Sequence, residues 1–554
     1  MLGSLSTITG AQLFGPGGGA GGPLVLLRVC AEGAKSGGVM EEHRFDGVAR
    51  LVATSTSRRQ VLKVLGGAAV GSRVAFAKNM SWRGKLSLLL VSFLLAALIA
   101  SALFSTVAFG AGDSSPITAL PPTKKASGGN APVTTNPRGT SDLFVAQACC
   151  AGGNGWAPGE PSIAVGKADI VETVNSSVTV YAKGATPPVE VFHQDLTTFF
   201  GGGPIACVDP RVIYWSWSDR YALVCSDIGS VPNVVRFAVT TGDDPTQGWN
   251  KYVVESGFLD QPKIEATADK LIIAGNGNGE QFYVYQLADI LAGSSNPAMV
   301  HLSSSVSNLY QAAVDYTPTS AGYFVSAYGC GGCTVSLATL SGTPATSVSL
   351  TETDLGDSRL RSTTDPPVPG GTLGGAMDTR VLAAAYELET SDNQPVIMYS
   401  ANSECTIGGT DTVCSAIGRI TWSGSTPVLS YVRNEGKPKT AYTYGAVTLD
   451  GFGNVFLSYS RSSPTSTPSA AVFAGRPLLN GRLLDKITEP SVSAASACAS
   501  FQVPPCDERW GDYMGATQDP VDPSYVWVGG LYQAASGSFG WGTVIARAHI
   551  SGLG

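Results

Sequence analysis

Acidic side chains recur at the starts of short apolar segments, and their types and positions suit them for chemistry. Five of these starts carry a carboxylate, at Glu160, Asp209, Asp260, Asp378 and Asp512. A ring of carboxylates could attract a cation, and calcium is the natural candidate because it prefers carboxylate and carbonyl oxygens. Such a ring could also supply general acid and base groups whose pKa values are separated by their surroundings.

Basic residues follow three of these acids within a few positions, at Arg211, Lys263 and Arg380. Side chains two positions apart share a face of a strand, so Arg211 should lie beside Asp209. One interpretation is a binding site in which the arginines hold the carboxylate of an acidic sugar in bidentate fashion. The other is an ion-pair network that fixes the strand starts and offsets charge inside the fold.

The segments that carry these residues belong to a unit that repeats seven times. Each unit has a short apolar strand, a turn and a second strand rich in Val, Tyr and Ser, and helical periodicity is almost absent. This pattern predicts an all-β fold. The units start at Glu160, Asp209, Asp260, Tyr310, Asp378, Tyr444 and Asp512, at separations of 49, 51, 50, 68, 66 and 68 residues.

Seven units of this length predict a β-propeller with seven blades, and six or eight blades are the alternatives. A pair of β-sandwiches or a β-helix would fit the number and length of the units less well. In a propeller the unit starts would converge at one mouth of the central channel. The segment 141–148 would join the last blade and close the ring, which removes two exposed sheet edges.

The start of the chain differs from the remainder in charge. Residues 1–111 hold 11 basic and 4 acidic residues, which leaves 24 basic and 38 acidic residues in 112–554, a net charge of −14. This acidic remainder predicts no nucleic-acid partner. The uncharged run 86–109 predicts an export signal or, if it is not cleaved, a membrane anchor. Upstream of it, the twin-arginine pair Arg58 and Arg59 resembles a second export signal, of the bacterial twin-arginine type.

These features divide the chain into four parts. Met80 is a plausible alternative start, because two export signals in succession are one more than a secreted protein needs. The divisions are 1–79 without an assigned fold, 80–111 as signal peptide or membrane anchor, 112–140 as a flexible linker rich in Pro, Ser, Thr and Gly, and 141–554 as the propeller.

Cysteine usage agrees with export. Ten of the eleven cysteines follow residue 111. The single CxxC unit, Cys330 to Cys333, has no second pair at the spacing that a zinc site needs. Disulfides in an oxidising compartment are the better interpretation. The candidate disulfide cysteines lie close together in the sequence, as Cys207 and Cys225, Cys405 and Cys414, and Cys498 and Cys506.

Several segments resemble a group of secreted bacterial sialidase-like (BNR-type) β-propeller proteins. They include EPSIAV, DPRVIYWSWSDRYAL and RWGDYMGATQDPVDPSYVWVGGLYQ, and the resemblance covers roughly residues 156–548. It implies the propeller fold and export. The sequence holds no intact Asp box, S-x-D-x-G-x-T-W, and the arginine triad, Tyr/Glu nucleophile pair and Asp acid/base of true sialidases cannot be placed by motif. No catalytic residue is therefore carried over.

The sequence as a whole predicts an exported propeller that binds a glycan or a surface protein at the channel mouth. A sialidase-like glycoside hydrolase and an anchored cell-surface structural protein are the alternatives. We expect a monomer that contacts a membrane only through residues 86–109, if these are retained. The predicted ligand-binding residues are Glu160, Asp209, Arg211, Asp260, Lys263, Asp378, Arg380 and Asp512.

Overall fold

A computed structural model of the chain describes most of the predicted propeller. The three predicted parts before residue 141 lie outside the described residues, and so do Asp378 and Cys498. All described residues belong to one compact unit, Ser114–Gly554. Among them there is no helix long and apolar enough to cross a membrane. The described residues are 141–146, 158–185, 187–254, 259–304, 309–327, 334–369, 371–373, 379–389, 393–475, 506–507, 511–533 and 541–549.

The described residues form seven antiparallel blades, which confirms the predicted all-β propeller. The strands of a blade follow one another along the chain, and β1 (Ser141–Ala146) is the one exception. Blades 1 to 3 consist of β2 (Ser162–Val165), β3 (Asp169–Val174), β4 (Ser177–Ala182) and β5 (Val189–Asp195); β6 (Cys207–Trp215), β7 (Arg220–Asp227), β8 (Val234–Thr240) and β9 (Trp249–Val254); and β10 (Asp260–Ala266), β11 (Lys270–Gly277), β12 (Gly279–Gln286) and β13 (Met299–Ser303). Two short helices, α1 (Leu196–Phe199) and α2 (Leu287–Leu291), lie in connections of blades 1 to 3.

Blades 4 to 7 follow the same plan with longer strands and connections. Blades 4 to 7 consist of β14 (Gln311–Asp315), β15 (Gly322–Ala327), β16 (Thr334–Ser341) and β17 (Ser349–Asp357); β20 (Val381–Leu388), β21 (Pro395–Ile407), β22 (Thr410–Ser423) and β23 (Thr426–Glu435); β24 (Ala441–Leu449), β25 (Val455–Ser463) and β26 (Ser466–Gly475); and β28 (Gly515–Gln518), β29 (Tyr525–Gln533) and β30 (Trp541–His549).

The extra length of the later units has a structural explanation. The connection between blades 4 and 5 adds β18 (Pro367–Val368) and β19 (Gly371–Thr372), and β19 pairs with β27 (Cys506–Asp507) from the connection between blades 6 and 7. In blade 5, the hairpin of β21 and β22 is longer than those of the other blades. Separations of 66 to 68 residues therefore reflect insertions and not additional blades.

Apolar side chains between neighbouring blades hold the ring together. Successive side chains of a strand point to opposite faces, so each blade is apolar on both faces and packs on two neighbours. Separate buried clusters fill the successive interfaces between blades. Trp215 lies in the cluster between blades 2 and 3, and Trp527 lies in the cluster between blades 7 and 1. These two tryptophans therefore stabilise blade packing.

The first described strand closes the ring, as predicted. β1 pairs antiparallel with β30, with Ser141 opposite Ala548 and Ala146 opposite Thr543. Blade 7 therefore contains both the first and the last described strand of the chain.

The innermost strands line a narrow central channel. The innermost strands of blades 4 and 5 also pair in parallel, Ala313 opposite Ala384, which narrows the channel on that side. Its cavity measures about 50 Å³, enough for water molecules but well below the roughly 300 Å³ of a small-molecule site. Every blade contributes to the lining, through residues that include Ser162, Arg211, Lys263, Gln311, Ala383, Val447 and Gly515.

Candidate functional site at the channel mouth

The innermost strands begin with an unusual backbone conformation that recurs from blade to blade. Glu160, Asp209, Gln261 and Tyr444 have φ values of 50°, 54°, 47° and 58°, which non-glycine residues seldom adopt. At Asp209, Gln261 and Tyr444 the pairing of the innermost strand with the next strand also shifts register, as in a β-bulge. Strained residues and bulges of this kind re-aim side chains and are frequent beside functional sites.

The bulges correct the predicted register in blade 3. Gln261 and not Asp260 occupies the position of Glu160 and Asp209, and all three residues precede a proline. Asp260 is one residue earlier, so its side chain leaves the strand in a different direction. Lys263 is consequently the equivalent of Arg211, two residues after the bulged position.

Gln261 joins two of the predicted carboxylates. Its side-chain Nε2 donates a hydrogen bond to Asp512 Oδ2 at 2.7 Å, and its backbone N–H donates to Asp209 Oδ2 at 3.2 Å. The backbone N–H of Asp209 in turn donates to Asn175 Oδ1 at 2.7 Å. Blades 1, 2, 3 and 7 therefore meet here, and Gln261 bridges Asp209 and Asp512.

Arg211 crosses the channel at the same level. Its guanidinium carbon lies 3.3 Å from the centre of the Tyr513 ring, and Nη1 donates to the carbonyl of Leu382 at 3.3 Å. Tyr513 Oη donates to the Pro210 carbonyl at 2.8 Å. Burial lowers the pKa of Arg211, and the nearby carboxylates, Glu160 and Asp209 among them, oppose that shift. The contacts of Arg211 are thus with an aromatic ring and a backbone carbonyl of the protein itself.

Lys263 forms a buried ion pair that the sequence did not indicate. Its Nζ lies 3.1 Å from Glu280 Oε1 on β12, and both side chains are almost completely buried. Glu280 Oε2 also accepts a hydrogen bond from the backbone N–H of Tyr310 at 3.3 Å. Lys263 thus neutralises a carboxylate of its own blade, at the interface with blade 4.

Among the four predicted carboxylates that the structure describes, Asp260 is the one that is partly exposed. Glu160, Asp209 and Asp512 are 0%, 9% and 5% exposed. Burial, together with the charges of Asp209 and Asp512, raises the pKa of Asp260 to about 6, against the opposing effect of Arg380. Asp260 therefore titrates nearer to neutral pH than an ordinary aspartate.

The calcium site remains a prediction. Within the described ranges, no group of three or more His, Cys, Asp or Glu side chains is arranged to hold a metal ion. Asp378, which belonged to the predicted ring, is outside those ranges. Among the described carboxylates, Asp209 and Asp512 instead accept hydrogen bonds from Gln261 and lie in the electrostatic field of Arg211.

Two of the predicted disulfides are present, and a third predicted pair includes Cys498, which is not described. Cys207 and Cys225 join β6 to β7, and Cys405 and Cys414 join β21 to β22. The first pair lies just before the bulge at Asp209, and the second ties the long hairpin of blade 5. Arg361 holds that hairpin through Glu404 at 3.1 Å.

Sequence reasoning missed Gln261, Tyr513 and Glu280. The proline after Gln261 was the available signal, because Glu160 and Asp209 also precede a proline. The contact of Tyr513 with Arg211 depends on the ring bringing blade 7 against blade 2, and the pairing of Glu280 with Lys263 depends on the pairing of β10 with β11 and β12. Neither contact has a local sequence signal.

No family model and no curated protein sequence matches the chain. Solved structures that share the fold include a Hadza microbial sialidase, at 11% identity and a TM-score of 0.34 over 55% of this chain. They also include a leech intramolecular trans-sialidase, at 10% and 0.38 over 58%, and an exo-β-1,3-galactanase from Phanerochaete chrysosporium, at 10% and 0.28 over 58%. The chain spans 63%, 68% and 80% of those three structures. The likeness concerns the fold alone.

Proposed function

We propose that this protein is an extracellular binding module that recognises a glycan at the channel mouth. The observation that carries the proposal is the convergence of Asp209, Gln261 and Asp512 at the mouth, with Asp260 partly exposed beside them. The cavity of about 50 Å³ is small beside a sugar ring, so the ligand would rest above it. The partly exposed carboxylate of Asp260 would accept hydrogen bonds from sugar hydroxyls there. The two disulfides support an extracellular location.

A glycan array with the purified protein tests this proposal. We expect saturable binding of one glycan class, reduced at least tenfold in Asp260→Asn because the amide replaces one acceptor oxygen with a donor. The matched control is Asp243→Asn, which makes the same change at an exposed position of another loop. Absence of glycan binding, or equal loss in both variants, would overturn the proposal; capture of a surface protein alone would favour the protein-ligand alternative.

A second candidate function is glycoside hydrolysis. Hydrolases of this kind need an acid and a base with separated pKa values. Asp260, with a pKa of about 6 beside Asp209 and Asp512, favours this candidate. Release of a fluorophore from a panel of glycosides, abolished in Asp260→Asn and retained in Asp243→Asn, would support it. Binding without turnover on the whole panel would favour the module.

A further inference from the structure

Two carboxyl groups face each other inside the wall between blades 3 and 4. Glu265 lies on β10 and Asp315 on β14, and their side chains are in hydrogen-bonding contact. Both residues are buried, at 0% and 4% exposure. Their four oxygens take no hydrogen bond from any donor among the described residues. Ionised carboxylates only accept hydrogen bonds, so this contact becomes a hydrogen bond only when one of the two holds a proton.

The surroundings offer one cation and two phenols. Lys270, at the start of β11, favours the ionised form of both carboxyls. Its Nζ is also held by Asp269 Oδ1 at 2.5 Å and by the Ser320 carbonyl. Tyr323 on β15 and Tyr386 on β20 stack with their ring centres 5.2 Å apart. The charge of Asp315 contributes to raising the pKa of both phenols. A single shared proton therefore leaves one negative charge opposite Lys270.

We propose that Glu265 and Asp315 share one proton and form a pH-operated latch, which holds blades 3 and 4 together while that proton is bound. Loss of the proton to solvent water leaves two carboxylates in contact, with Lys270 as the cation that faces them. Two like charges in contact in a buried site repel each other strongly. The apolar cluster between the same blades, which includes Ile272, Phe282 and Phe324, then holds the interface against this repulsion.

The direction of the pH dependence follows from burial. Burial raises the pKa of Glu265 and of Asp315 well above their ordinary values of 4.5 and 3.8. The folded protein therefore keeps the proton over a pH range in which the unfolded chain has lost it. The contribution to stability is fully present below about pH 4 and is lost as the pH rises through the folded-state pKa values.

Chemical denaturation of the intact protein between pH 5 and 9 tests the latch. In Glu265→Gln the amide donates to Asp315 without needing a proton, so this contribution should become independent of pH. The ratio of the unfolding constants of wild type and Glu265→Gln should rise by up to about tenfold per pH unit, the effect of one proton. Asp169, Glu172 and Glu387 also have raised pKa values but are common to both proteins, so they cancel in this ratio.

Two controls keep the test decisive. The exposed Asp243→Asn changes the same charge and should leave the ratio constant, and a constant ratio for Glu265→Gln as well would overturn the latch. Asp315→Asn places the amide on the other strand and replaces Glu265→Gln if that variant does not fold. Hydrogen exchange of the wild type locates the effect. Amides of β10 and β14 should lose protection relative to those of β6 as the pH rises from 5 to 9, and uniform loss would contradict the proposal.

Discussion

The channel mouth and the interface between blades 3 and 4 both bury carboxyl groups, yet they satisfy them in different ways. At the mouth, Asp209 and Asp512 share the donors of Gln261, and Arg211 supplies positive charge. At the interface, the carboxyl groups of Glu265 and Asp315 are hydrogen-bonding partners of each other. The first arrangement needs no proton and the second does. Charge state therefore follows from the neighbours that the fold supplies and not from residue type.

A single strand contributes to both regions. β10 carries Asp260 and Lys263 towards the mouth and Glu265 further along the channel wall. The bulge at Gln261 separates Asp260 from Lys263 and Glu265, because it changes the direction in which the side chain before it leaves the strand. One short strand thus holds a partly exposed carboxyl group at Asp260 and a fully buried one at Glu265.

Removal of Arg211 should have the largest effect and should break the balance at the mouth. In Arg211→Met, the buried carboxylates lose their cation, and we expect the free energy of unfolding at pH 7 to fall by about 3–5 kcal/mol. Arg211→Lys keeps the charge but loses the planar contact with Tyr513, so it should cost less. Urea unfolding monitored by tryptophan fluorescence measures both. A loss below about 1 kcal/mol in Arg211→Met would show that the mouth does not depend on this cation.

Removal of Gln261 should have an intermediate effect, and it tests whether this side chain satisfies the carboxylates at the mouth. Gln261→Ala deletes the donor to Asp512, a hydrogen bond to a charged group, at a cost of about 1.5–3 kcal/mol. Gln281→Ala, at a less buried glutamine of the same blade, is the control and should cost less than about 0.5 kcal/mol. The same urea unfolding experiment applies. Equal effects of the two substitutions would mean that Gln261 does not hold the carboxylates together.

A surface pair outside both regions should have the smallest effect. Lys167 and Asp219 are 2.8 Å apart, but their side chains are 56% and 33% exposed. We expect Lys167→Ala to change the melting temperature by less than about 1 °C, because exposed ion pairs contribute between 0 and about 1 kcal/mol. A larger drop would mean that charge pairs matter throughout this fold and not only where they are buried.

The fold was predictable to the level of blades. Repeat spacing and strand patterning were enough for seven blades and for the closure by segment 141–148, since these depend on local alternation of apolar residues. The repeat placed Asp209 and Asp512 at the starts of their units, and the ligand-binding role predicted for them stays a prediction. The side-chain partners could not be predicted from the sequence. The contact of Arg211 with Tyr513 and that of Glu265 with Asp315 join residues from different blades, and the pattern of a single strand holds no information on such pairs.

The pairing of β1 with β30 sets the order in which the ring can assemble. Ser141 and Ala548 are 407 positions apart in the chain, so their pairing carries the highest contact order of any strand pair in the propeller, and such pairings form slowly. Six blades can form from consecutive strands, but the seventh must wait for both ends. Until then, the edge of β30 is open to β1 of another copy, which would link two rings by exchange of a strand. The closing strand therefore links the final step of folding to the burial of the last open sheet edge of blade 7.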